Sequence, residues 1–148
     1  MANADQIMCY LEPTQQSGRA FVQRPWAGKI VMLNLLRFRE TADYSASPDL
    51  DPGVAISGYA AFQLYIQHTL PFLLETGGEL MFLGAGGKFL IGPQAERWDL
   101  AMLVRQHSVE SFLSFATHQP YLAGMGHRTA AVEDSRLLPL SEVAWGTV

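Results

Sequence analysis

Apolar side chains alternate on both faces of Lys29 to Phe38: Val31, Leu33 and Leu35 on one, Met32, Leu36 and Phe38 on the other. A strand that is apolar on both faces must be covered on both sides. Further along, Phe62, Tyr65, Ile66, Thr69 and Leu73 recur at three- and four-residue spacing, which predicts a helix from Gly58 to Thr76. Ser57 is placed to cap it, Pro71 to kink it near Gln67, and Gly77-Gly78 to end it.

Shorter patterns fill the rest. Ile7 to Leu11 reads as an edge strand and Pro13 to Gln23 as a short helix, broken at Arg24-Pro25-Trp26-Ala27-Gly28. Glu79 to Leu83 reads as a strand, Gly84 to Gly87 as a turn or bulge, Lys88 to Ile91 as a short strand and Trp98 to Arg105 as another. Ser108 caps a helix from Val109 to Thr117, a short helical piece follows Gln119, and His127 to Leu138 reads as the last strand. Glu40 to Ile56 has no periodicity, and structureless loops of that length often serve as lids or binding loops.

From Lys29 onward the order predicts an α+β, ferredoxin-like βαββαβ domain over 29–140. An extra N-terminal β-α unit (1–28) precedes it and a tail (141–148) follows. The helices of such a domain cover one face of the antiparallel sheet, leaving Val31, Leu33 and Leu35 on an apolar face that needs a partner. The expected partner is a second copy, with the two sheets packed face to face.

Composition narrows the function classes. With 148 residues, 49% of them apolar and 16% charged, the chain is long enough for one well-buried domain. A net charge of −4 with scattered basic residues argues against nucleic acid. No apolar run approaches the ~20 residues of a membrane span. The N-terminus lacks the features of a signal peptide, and the one cysteine, Cys9, cannot form an internal disulfide. A cytoplasmic location is expected.

The ordered stretches Met32 to Tyr44, Ile56 to Tyr65, Arg97 to Val104 and His127 to Leu140 resemble domain-of-unknown-function family thirteen-thirty, within the dimeric α+β barrel superfamily. Tyr10 to Thr14 resembles the longer variants of that family. The resemblance implies the fold and a homodimer, and no established activity. The wider superfamily includes cofactor-free monooxygenases, haem-degrading enzymes and isomerases. In haem-degrading relatives a strand-one asparagine is joined by a tryptophan and a histidine. Asn34 matches the first, whereas Gln106 and Met125 stand near the other two positions, so no cofactor is expected.

Asn34 is the main candidate for chemistry, being an amide on the face of Met32, Leu36 and Phe38. A buried amide needs partners, and a ligand carbonyl, enolate or oxygen species is one; backbone or Tyr65 is the other. Arg37 and Arg39, with Tyr44, could clamp a carboxylate or simply pair with Glu40, Asp43 or Asp134. Asp99 is a candidate base or an orienter of Arg37 or Arg128, and Trp98 a candidate wall or core residue. His127 is a candidate proton shuttle, and Arg128, read on the same strand as Asp134 and Arg136, a ligand or network residue. The histidine spacing fits no metal site, and Gly84-Ala85-Gly86-Gly87-Lys88 precedes a strand rather than the helix a phosphate loop requires. The expected function is therefore binding of a small, partly apolar organic molecule in a sheet-helix cleft, with cofactor-free proton transfer or oxygenation as the reaction class. The alternative is a non-catalytic binding or interaction module.

Overall fold

A computed structural model describes residues 8–146. Its core is an antiparallel sheet of four strands, β1 (Ile30–Phe38), β2 (Glu79–Lys88), β3 (Arg97–Gln106) and β4 (Val132–Ser141), in the order β2-β3-β1-β4. The helices are α1 (Gln15–Gln23), α2 (Gly58–Glu75), α3 (Val109–Ala116), α4 (Gln119–Leu122) and α5 (Met125–Ala131). The α+β, ferredoxin-like arrangement expected from the pattern is the one observed.

The two-sided pattern of β1 explains its central place. Asn34 lies between Met102 of β3 and Leu137 of β4, and Leu36 between Leu100 and Ser135. Leu36, Phe38, Leu100 and Met102 pack with Ala61 and Phe62 of α2 and Ala130 and Ala131 of α5 into the main core. A second cluster joins Leu73, Phe115 and Tyr121. Helix α2 starts where the Ser57 hydroxyl accepts from the Ala60 N–H at 3.0 Å, and it runs on through Pro71 to Glu75. Ser108 caps α3 in the same way.

The N-terminal segment departs from expectation. Residues 8–11 form no strand, and Ile7 lies outside the described residues. The backbone at Tyr10 instead lies along β4: its N–H donates to the Asp134 carboxylate at 2.8 Å, and its carbonyl accepts from the Ser135 N–H at 3.0 Å. Helix α1 follows, started by a capping box in which Thr14 and Ser17 each bond the other's backbone N–H.

The glycine run does not break β2. A Cβ on Gly86 would lie 2.5 Å from the Trp98 carbonyl oxygen, so the bare backbone here lets β2 and β3 stay paired to Lys88↔Arg97. The short strand expected at Lys88 to Ile91 is absent beyond Lys88, and Leu90 and Ile91 project almost fully exposed from the hairpin end.

The last strand also starts later than the alternation implied. His127 and Arg128 lie on α5, because Ala130 and Ala131 are small enough to be fully buried where α5 packs against α2. Arg128 therefore does not share a strand face with Asp134 and Arg136.

Gly58 opens α2 under the carbonyl of Arg39, to which its N–H donates at 3.1 Å. A Cβ there would crowd that oxygen and lie 2.7 Å from the Ala131 carbonyl oxygen. Gly58→Ala is expected to lower the unfolding free energy by about 1–3 kcal/mol, as overpacking does elsewhere. Urea midpoints measure this; an unchanged midpoint would mean that the contact between α2 and α5 yields freely.

Candidate functional site

Between the helix-bearing face of the sheet and α1 to α5 lies a cavity of about 730 Å³. Its floor is Met32 and Asn34 of β1, Met102, Val104 and Gln106 of β3, Leu80 of β2 and Leu137 and Pro139 of β4. Helix α2 supplies Phe62, Tyr65, Ile66, Thr69, Leu70 and Leu73, α3 supplies Phe112, Phe115 and Ala116, and Tyr121, Met125 and Arg128 close the remaining side. The N-terminal extension forms one wall through Tyr10 to Pro13, Ser17, Gly18 and Phe21. The Phe21 ring meets Phe112 edge-on at 5.6 Å, which ties α1 to α3 across that wall.

Few polar groups enter this apolar space. Asn34 donates from Nδ2 to the Met32 carbonyl at 3.2 Å, which is the backbone partner among the expected alternatives rather than Tyr65. Tyr65 instead shares a 2.7 Å hydrogen bond with Tyr121. Burial, with Tyr65 beside it, pushes the Tyr121 hydroxyl far above its usual range, so it remains a protonated donor at any ordinary pH. Thr69 Oγ1 and Gln106 Oε1 are buried with no hydrogen-bond partner. Arg128 donates to the Leu11 carbonyl at 3.1 Å and to Ser135 Oγ at 3.4 Å.

Of the candidates read from sequence, Asn34, Tyr65 and Arg128 come together in this cavity. The others lie elsewhere. Arg37 pairs with Glu133 at 3.3 Å and approaches Asp134 at 3.9 Å. Asp99 orients neither Arg37 nor Arg128: it pairs with Arg97 at 2.8 Å and accepts from the Phe38 N–H at 2.8 Å, replacing a ladder bond at the end of β1. Trp98 is buried under the Arg136 guanidinium, which also stacks on Tyr10. Arg39 leaves Nε buried without a partner and does not line the cavity.

Tyr44 and His127 form a separate pair, hydroxyl to Nδ1 at 2.8 Å. The loop before α2 includes a turn at Pro48–Leu50, and a smaller cavity of about 280 Å³ lies along it, lined by Tyr44, Asp51 and Ile56 among others. Sequence reasoning did not propose Thr69, Gln106 or Tyr121 as ligand residues, although Thr69 was read on the inward face of α2 and Gln106 was compared with a haem-site position. The available signal for Gln106 was its place two residues past Val104, an amide on the inward face of a strand.

Among the described residues no three His, Cys, Asp or Glu gather as a metal site, and no helix is long and apolar enough to cross a membrane.

Comparison with known proteins returned no matching family model and no matching curated protein. Among solved structures, the chain is similar to a methylated form of the RPA0582 protein: 32% identity over 95% of this chain and 100% of the other, with a TM-score of 0.83. A second crystal structure of that protein, from Rhodopseudomonas palustris and described as of unknown function, matches at 31% identity over 93% and 99% with a TM-score of 0.81. A dimeric ferredoxin-like protein of unknown function from Bacteroides fragilis lies further off, at 10% identity over 77% and 96% with a TM-score of 0.48.

The burial of His127 makes stability depend on pH. Burial, and then the nearby His68, lowers the His127 pKa below its ordinary value of 6.5. The unfolded chain thus takes up this proton more readily than the folded one, so folding stability falls as pH drops through 6.5 toward the lowered value. His127→Gln should flatten that part of the stability profile, measured as urea midpoints between pH 7.5 and pH 5. An unaltered slope would remove His127 as its source.

Proposed function

The chain belongs to the family of the Rhodopseudomonas palustris protein RPA0582, and from its own cavity we propose that it binds a small, largely apolar organic molecule between sheet and helices. The observation that carries this reading is the combination of a cavity of about 730 Å³ with two buried polar atoms, Thr69 Oγ1 and Gln106 Oε1, that lack partners. Well-packed interiors leave few such groups, and each unpaired one costs about 1–3 kcal/mol. A bound molecule that fills the space and meets them removes both penalties.

The lining favours holding over turnover. Its titratable members are Tyr10, Glu12, Tyr65, Tyr121, Arg128 and Arg136, with Glu12 the one carboxylate and no imidazole among them. Proton abstraction therefore has little support from this set. Asn34 and the tyrosine pair are suited to polarising a ligand carbonyl, the part of the cofactor-free chemistry they do support. His127, Asp99, Arg37, Arg39, Tyr44 and Trp98 have positioning or structural duties in this reading. Membership in domain-of-unknown-function family thirteen-thirty belongs to the same proposal, supported by the motif order from Met32 to Leu140.

Native mass spectrometry of protein purified under mild conditions tests the binding role. The wild type should carry a retained small molecule, or bind the neutral dye Nile red once stripped. Ala116→Phe, which fills part of the cavity, should reduce both while the far-ultraviolet circular dichroism stays the same. Absence of both from the wild type would remove the proposal.

We also propose a homodimer formed through the sheet face that carries Val31, Leu33 and Leu35. Its support is the apolar character of that face, continued in register by Leu103, Leu138 and Leu140, with Phe82 and Leu138 more than half exposed in the single chain. Light scattering at micromolar concentration should give twice the chain mass, and Leu33→Glu should halve it. A wild-type monomer would rule the dimer out.

A further inference from the structure

Arg128 is the charged group whose state in the cavity is least explained by the protein alone. Its two hydrogen bonds go to neutral acceptors, the Leu11 carbonyl and Ser135 Oγ. Among the described residues no carboxylate lies within ion-pair distance of it. Arg136 lines the same space, but Asp134 neutralises it at 2.6 Å, and two aromatic rings hold its guanidinium. A guanidinium carries five N–H donors and matches a carboxylate two bonds at a time, so Arg128 keeps donors to spend. Its charge acts on Tyr121, whose hydroxyl sits with that of Tyr65 in the same lining. A cation with no ion pair that shares an apolar space with two tyrosine hydroxyls is suited to an anion.

The opposite end has a different chemistry. Gln106 is 1% exposed and presents an amide oxygen with no partner. An amide oxygen accepts only, so it calls for an O–H or N–H donor. Along the sheet the two ends are well separated. Gln106 faces Ile30 across the β1–β3 pair, while Ser135, which holds Arg128, faces Leu36 across the β1–β4 pair. Ile30 and Leu36 are six positions apart, about 20 Å at roughly 3.3 Å per residue. Side chains close part of that span, and Met32, Met102, Val104 and Leu137 line the space between.

Resting on the binding role proposed above, we infer that the ligand is an organic acid: a carboxylate held by Arg128, an extended apolar body, and a hydroxyl or amine at the far end that meets Gln106. Asn34 lies between the two poles, where it meets the body of the ligand near its acid end.

Displacement of bound Nile red by three probes of one chain length tests this. Decanoate should compete about tenfold better than 1-decanol, the scale of one charge-assisted hydrogen-bonded contact, and 10-hydroxydecanoate should compete better still. Arg128→Gln should bring decanoate and 1-decanol to equal affinity, whereas Arg128→Lys, which keeps the charge, should restore part of the preference. Gln106→Leu should erase the advantage of the hydroxylated acid. If the wild type binds Nile red but 1-decanol competes as well as decanoate, the acid assignment is overturned and the cavity role stands. If the hydroxylated acid gains nothing over decanoate, the assignment of the far end fails. If Nile red does not bind at all, both readings fall together.

Discussion

The alternation of side chains along β1 is the constraint on which the rest of the molecule depends. The strand is paired on both edges, to β3 and β4, so its backbone has no freedom to shift register without moving every side chain to the wrong face. One face commits Met32, Leu36 and Phe38 to the helices, and that commitment places Asn34 inside the cavity by parity alone. The other face commits Val31, Leu33 and Leu35 to a surface that the helices do not reach. A fold of this class thus creates a sheltered space and an unsheltered apolar face with the same strand.

A second dependence runs through Asp134. Its carboxylate is fully buried, and a buried charge persists only when it is paired and hydrogen-bonded. Arg136, the Ser135 N–H and the Tyr10 N–H all donate to one oxygen, while Arg37 approaches the other at 3.9 Å. The same carboxylate therefore explains why the N-terminal segment lies along β4, while Arg37 makes its closer ion pair with Glu133. From that anchor the chain passes through Leu11, whose carbonyl Arg128 holds, into α1 and the cavity wall. No residue of α1 is buried, so its position rests on these polar ties and on the contact between Phe21 and Phe112 rather than on a core of its own.

Features set by local physics were legible in the sequence. The central place of β1 with Leu36 and Phe38 toward the helices, the start of α2 at Ser57 and of α3 at Ser108, and the sheet class all follow from period and capping. What escaped was decided at long range. Nothing near Tyr10 announces Asp134, which lies 124 positions away. The stretch from His127 reads as a strand because Val132 and its successors alternate, yet Ala130 and Ala131 fit a helix against α2, and that packing prevails. Asn34 and Arg128 could be singled out as polar residues in suspicious places. Their meeting with Tyr65 in one space required the helices to be in position.

The unpartnered oxygens of Thr69 and Gln106 do not follow from the needs of folding. Replacing Gln106 or Thr69 by an apolar residue of similar size would remove a buried, unpaired oxygen, and such replacement is often neutral or stabilising. Arg128 differs, because it serves the fold by holding the Leu11 carbonyl, yet it meets no carboxylate and keeps donors free. Stability alone would favour a simpler lining of leucine and methionine, as the floor at Met32, Met102 and Leu137 already has. Gln106 and Arg128 stand at opposite levels of the sheet, with Asn34 among apolar side chains between them, and their chemistry is complementary to a molecule that is polar at both ends. A fold shaped only for its own packing has no reason to separate its polar groups in this way, whereas a site for an extended organic acid requires it.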